Sequence, residues 1–227
     1  MNPAKSVLAF AALIVPAVAV AQPVPKPKPT PPPAAAAPAP AEAAAAEQGT
    51  VTVGGITLRY PSLFVLAESA EEVATQGVIP PCDPDFGACL YYAAETYADT
   101  NFESAGLRIQ ERTDLATEEA CVSEQPEGYT GLTPTIRREP GYVVATFTDL
   151  GDAGAGHFTQ DTLYRVVGEG ACYEFTTRIG QTQLGNYTPG TIKPFTDGDA
   201  ATVQGLFASI LNSATLANGT AVTIAAE

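Results

Sequence analysis

The stretch DTLYRVVGEGACYEFTTRI, Asp161 to Ile179, decides the fold. Apolar and polar residues alternate on both sides of Gly168-Glu169-Gly170, the pattern of two half-buried strands joined by a tight turn. With Glu169-Gly170 as the loop, Gly168 faces Ala171, Val166 faces Tyr173, Tyr164 faces Phe175 and Thr162 faces Thr177. That face is apolar and suits a core. On the other face Arg165 meets Glu174, Asp161 meets Arg178 and Val167 meets Cys172. A slip of one residue sets Arg165 against Tyr173 and breaks both opposite-charge pairs. Charge and hydrophobic pattern therefore select the same register.

Downstream, Pro189-Gly190 marks a turn, and then the period changes. Val203, Leu206, Phe207, Ile210 and Leu211 fall at helical spacing and make one apolar stripe. Thr196 followed by Asp199 fits a capping box at the helix start, with Asp199 itself as the other N-cap candidate. Such a helix needs an apolar surface to cover, and the Tyr164/Val166/Tyr173/Phe175 face provides one.

Upstream, Thr50–Val53 and Ile56–Tyr60 read as short strands joined at Gly54-Gly55. Leu90–Ala93, Gly106–Glu111 and Tyr142–Asp149 read as further strands, while Glu71–Thr75 and Ala116–Cys121 are brief helix-like segments. In GLRIQE, Leu107 and Ile109 share one face, Arg108 and Gln110 the other. The expectation is an α+β fold, with an antiparallel sheet of five or six strands and a C-terminal amphipathic helix packed on it.

Residues 1–21 read as a secretory signal peptide, with Lys5 in the n-region, Val7–Val15 as the apolar core and Ala19-Val20-Ala21 at the cleavage site. Residues 22–48 hold 9 Pro and 10 Ala among 27 positions, too few core-forming side chains for a folded unit. They read as a disordered linker. The globular domain is expected at 49–213, followed by a tail at 214–227. From residue 49 onward there are 23 acidic and 8 basic residues, a net charge of −15. That balance argues against nucleic acid and against anionic membrane surfaces. The expected location is periplasmic or secreted, with no stable membrane span after signal cleavage.

The four cysteines are Cys82, Cys89, Cys121 and Cys172. In an exported chain disulfides are the default. Pro84 and Gly87 bend the short loop between Cys82 and Cys89, which favours that pair and leaves Cys121 for Cys172. Metal is not expected. The Cys82–Cys89 spacing is wrong for zinc, His157 is the sole histidine, and Asp83 and Asp85 begin a Ca²⁺-like loop that departs from the EF-hand pattern. No cofactor motif is present: GDAGAGH, residues 151–157, lacks both the dinucleotide and the Walker spacing.

The segments TNFESAGLRI (Thr100–Ile109), YRVVGEGACYEF, PGTIKPF and a final helix ending FASILNS carry a resemblance. Together they resemble secreted and lipoprotein-type bacterial domains of uncharacterised role that share a YR…CYE hairpin, a PGT turn and a last helix. More distantly the chain is similar to PsbP-like α/β/α sandwiches. The resemblance spans about Gly49–Ser213 and implies fold and compartment. Its motifs are structural and bring no catalytic residues with them. The lipidation cysteine of the lipoprotein members is absent here.

The nearest thing to a catalytic cluster is His157 with Asp149, Asp152 and Asp161, a base that a carboxylate could orient. No GxSxG nucleophile motif accompanies it. The expected function is a non-enzymatic extracytoplasmic binding or interaction module for a protein, glycan or small molecule of the cell envelope. The alternative is an envelope hydrolase using His157 and a nearby carboxylate, with Asp152 and Asp161 as the candidates. The expected places for a ligand are the Pro-rich loop at Cys82–Cys89 and the Gly-rich turn at His157. The Cys121–Cys172 bond is expected to shield the charged face of the hairpin.

Overall fold

The computed structural model describes residues 48–75, 87–92 and 94–225. The expected signal peptide, most of the expected linker and Cys82, with the expected Cys82–Cys89 bond, lie outside the described residues. The hairpin is formed by β9 (His157–Gly168) and β10 (Ala171–Thr182). Its register is the expected one, with Val166 opposite Tyr173, Arg165 opposite Glu174 and Asp161 opposite Arg178. The loop residues Glu169 and Gly170 both have positive φ, 54° and 80°, as a type I′ turn requires.

Around this hairpin lie β3 (Phe64–Leu66), β4 (Ala88–Tyr92), β5 (Phe102–Glu111), β6 (Thr135–Glu139) and β7 (Tyr142–Leu150). The strand order is β3-β4-β5-β10-β9-β7-β6, with the two-residue β8 (Ala153–Gly154) paired to β9. Among the described residues the sheet therefore has eight strands rather than five or six. A second sheet of three strands holds β1 (Gln48–Val53), β2 (Ile56–Pro61) and β11 (Thr215–Leu216). Every pairing between these strands is antiparallel. Besides the two-residue β8 and β11, two strands were not foreseen: β3, an edge strand of three residues, and β6, an edge strand with almost no buried side chain. Neither presents the apolar alternation by which a strand is read from sequence.

Helix α3 (Asp197–Leu211) covers the apolar face of the hairpin, as its stripe predicts. Thr196 is its N-cap, and the Thr196–Asp199 capping box satisfies two backbone N–H groups that would otherwise lack partners. Val203, Phe207, Ile210 and Leu211 join Leu107, Ile109, Val166, Tyr173 and Phe175 in one buried cluster. The three-stranded sheet adds Ile56 and Leu58 to it. Residues after Ser213, expected as a tail, return across this layer instead. Leu216, Val222 and Ile224 are buried, and the Arg137 guanidinium donates to the Thr223 and Ile224 carbonyls. Apolar burial drives this return.

The opposite face of the large sheet is charged at its centre. Helix α1 (Ala70–Thr75) lies at one side, and α2 (Glu118–Ser123) packs against β9. Helices thus occur on both faces of an antiparallel sheet, an α+β arrangement.

Candidate functional site

On the charged face, β5, β10 and β9 lie side by side, so alternate residues of each point the same way. Pairing sets Gln110 beside Glu174, Arg108 beside Thr176, and Arg178 beside Asp161. Glu174 is the hub. Its Oε1 accepts from Gln110 Nε2 at 2.8 Å and Arg108 Nη2 at 3.3 Å, and its Oε2 accepts from Arg165 Nε at 2.8 Å and Arg112 Nη1 at 2.7 Å. Arg165 is 0 % exposed and Glu174 2 %. An ion pair sealed this far from water persists only where its remaining donors are also satisfied.

Helix α2 satisfies them. Thr117 caps its start by accepting from the Ala120 N–H, and Arg165 Nη1 closes its end by donating to the carbonyls of Cys121 (3.2 Å) and Glu124 (2.6 Å). A cation there also meets the negative end of the helix dipole. The guanidinium stands 5.3 Å from the centre of the Phe147 ring. The Cys121–Cys172 disulfide fastens α2 to β10 beside this pair, as expected from the sequence.

Shielding, however, stops at Arg165. Beyond it the chain from Glu124 to Tyr129 swings outward and becomes a wall. Gln125 pins it to Leu132 through both ends of its amide, and Tyr129 Oη both donates to the Gly151 carbonyl and accepts from the Gly151 N–H, each at 2.9 Å. Between that wall and the sheet lies a cavity of about 1110 Å³. Its floor is Arg108, Gln110, Asp161, Leu163, Glu174, Thr176 and Arg178, and Arg112, Asp114 and Leu115 close one side. The expectation of little open surface on this face is therefore corrected. The six residues of α2 cover one end of the face and leave the centre open.

Electrostatics inside are set by pairs. Arg178 grips Asp161 through Nε and Nη2, and Arg112 grips Asp114 in the same two-pronged way. Chiefly through that hydrogen bonding, Arg112 holds the Asp114 carboxyl down at about 2, and Asp114 pushes the Arg112 guanidinium up in return. Four of the eight basic residues of the domain, Arg108, Arg112, Arg165 and Arg178, stand on this one face. In a domain of net charge −15 that is a strong local concentration.

His157, Asp152 and Asp161, singled out in the sequence, each have a partner outside that group. Asp161 is on the cavity floor, 7 % exposed, and committed to Arg178. Asp152 Oδ1 accepts from the Ala153 N–H. His157, at the exposed start of β9, has a carboxylate partner, but it is Glu103, with Nδ1 to Oε2 at 2.9 Å. Glu103 reaches it because the β5–β10 register shifts there, and the extra residue of a bulge is re-aimed. Any acid–base role of His157 runs through Glu103. Among the described residues, no three His, Cys, Asp or Glu side chains stand close enough together to hold a metal ion.

Arg108, Gln110 and Thr176 are the residues that sequence reasoning did not connect to a site. The signal was there in part: the alternation in GLRIQE places Arg108 and Gln110 together, and the hairpin places Thr176 with Glu174. What was missing is that β5 pairs with β10.

No protein-family model matches the chain. No curated protein matches it in sequence. Among solved structures, LpqN of Mycobacterium tuberculosis, described as involved in cell envelope biogenesis, is similar over 75 % of this chain and 90 % of that one, at 12 % identity and a TM-score of 0.38. The solution structure of cyanobacterial PsbP (CyanoP) from Synechocystis sp. PCC 6803 is similar over 71 % of this chain and 86 % of that one, at 14 % identity and a TM-score of 0.34. The second is the likeness expected from the sequence. Similarity of this size says nothing about a ligand.

Proposed function

We propose that this chain is an extracytoplasmic binding module that holds a small polar organic molecule in the cavity between β5, β10 and the Glu124–Tyr129 wall. The observation that carries this reading is the cavity itself. At about 1110 Å³ it is at the large end of ligand pockets, and convergent polar groups line its floor. Binding rather than turnover is favoured because the charged groups are locked in pairs: the carboxylates of Glu174 and Asp161 already accept from guanidinium groups. The signal-peptide pattern read in residues 1–21 and the Cys121–Cys172 disulfide support a periplasmic or secreted setting. In this reading the Pro/Ala-rich residues 22–48 are a spacer ahead of a single domain. No helix among the described residues is long and apolar enough to cross a membrane.

The test is thermal unfolding of the exported, oxidised protein against a panel of small organic acids, amino acids, sugars and short peptides. A ligand of the folded state raises Tm progressively with its concentration. Ala120 lines the cavity, so Ala120→Trp fills part of it and is expected to abolish the shift. A panel with no stabilising member, or a shift that survives Ala120→Trp, overturns the reading. Loss of a measured hydrolytic activity in His157→Ala would establish the enzymatic alternative instead.

A further inference from the structure

We infer that Arg108 and Thr176 form a subsite for one carboxylate of the ligand, an inference that rests on the cavity being the binding site. The two are cross-strand neighbours on β5 and β10, and both line the cavity floor. Arg108 Nε and Thr176 Oγ1 are buried and have no hydrogen-bond partner. Thr176 is 6 % exposed, so bulk water does not reach it freely. A buried donor without a partner is costly, and two side by side are satisfied together by one acceptor with two oxygens. Among the described residues a third such atom, Ser104 Oγ, is not part of the cavity wall.

Among the described residues, no carboxylate meets that demand. Glu174 takes its three short bonds, 2.7 to 2.8 Å, from Arg112, Arg165 and Gln110, and Arg108 reaches it only at 3.3 Å. Asp161 is taken by Arg178 and Asp114 by Arg112. Within the cluster, Arg108, Arg112 and Arg165 face Glu174 and Asp114, which leaves one positive charge uncompensated. Arg108 carries it.

The charge of the ligand follows from the rest of the wall. Glu111, Glu124 and Glu127 are exposed and line the cavity, so a dianion such as phosphate meets about twice the repulsion that a monoanion does. One uncompensated guanidinium matches one carboxylate. Leu115, Leu150, Leu163 and Tyr129 line the remaining wall, so the body behind the carboxylate is partly apolar.

The test uses the intact, oxidised, ¹⁵N-labelled exported protein and the side-chain Nε–Hε resonance of Arg108. The probes are benzoate, lactate and N-acetylalanine, each with its neutral amide (benzamide, lactamide, N-acetylalaninamide), and inorganic phosphate. At least one carboxylate is expected to move the Arg108 resonance and to bind about tenfold or more tightly than its amide. Arg108→Lys, which keeps the charge and removes Nε–H, and Thr176→Val are each expected to weaken that probe about tenfold. Thr176→Val is nearly isosteric and keeps the test decisive if Arg108→Lys folds poorly. The subsite is overturned by an amide binding as well as its acid, by phosphate binding more tightly than every carboxylate, or by both variants binding like the wild type. In those cases occupancy that Ala120→Trp still blocks leaves the binding reading standing. If no carboxylate binds, the subsite falls whether or not another class of compound occupies the cavity.

Discussion

Arg165 and Glu174 face each other across the central hairpin, joined Nε to Oε2 at 2.8 Å, and both are buried. Removing one partner leaves the other charged and out of water. Glu174→Gln is therefore expected to cost about 3–5 kcal/mol, because Arg165 keeps its charge and loses its counterion. Arg165→Met paired with Glu174→Leu is expected to cost less than either single variant, since the buried Arg165 charge leaves with its counterion and only the part-exposed Arg108 and Arg112 lose a partner. Urea unfolding of the three proteins measures this. Equal losses in the single and the double variants would mean the pair contributes packing only.

On the other face of the same strand pair the argument is about volume. Phe207 is 2 % exposed, with its ring centre 5.5 Å from that of Phe64. Phe207→Ala opens a cavity between α3 and the sheet and is expected to cost about 3–5 kcal/mol. Leu206, one position earlier and only partly buried, is expected to cost less when cut to Ala. A melting temperature unchanged for Phe207→Ala would mean that the ring does not pack as seen here.

These two faces show how much was legible in the sequence. The hairpin register was, because Arg165–Glu174 and Asp161–Arg178 sit in step with Val166–Tyr173, and any other register breaks both patterns. Helix α3 was, because its stripe and Thr196–Asp199 box are local. The cavity was not. Its floor joins Arg108 on β5 to Thr176 on β10, 68 positions apart, and its far wall comes from 124–129. No short-range pattern encodes that adjacency. The segment after Ser213 misled for a related reason: Leu216, Val222 and Ile224 carry no periodicity, and their burial follows from where the chain returns.

Asp114 gives a pH dependence with a definite sign. Arg112 holds its carboxyl at about 2, against an ordinary value of 3.8. A carboxyl whose value is lower in the folded than in the unfolded chain contributes stability above the unfolded value, and that contribution is lost as pH falls through the folded one. The window is therefore about pH 4 down to about pH 2. Asp114→Asn is expected to flatten the fall in urea midpoint across that window and to leave its slope above pH 5 unchanged. The side chain is 62 % exposed, so salt is expected to reduce the effect. An identical acid limb in Asp114→Asn would show that Arg112 draws nothing from this partner.

The Cys121–Cys172 disulfide joins stability to the site. It spans 51 residues, and on the chain-entropy account closing such a loop contributes about 4 kcal/mol. Cys121→Ser with Cys172→Ser is expected to lower stability by about that amount. The Cys121 carbonyl is also an acceptor for Arg165, so loosening α2 weakens the group that seals the ion pair. The wall at 124–129 follows directly from α2, and its amides are expected to exchange hydrogen faster in the double-serine variant. Those of α3, on the far side of the sheet, are expected to change only as far as global stability does. Hydrogen exchange resolved by segment separates the two. Uniform acceleration across both segments would mean that the disulfide acts on the unfolded chain alone and does not shape the cavity.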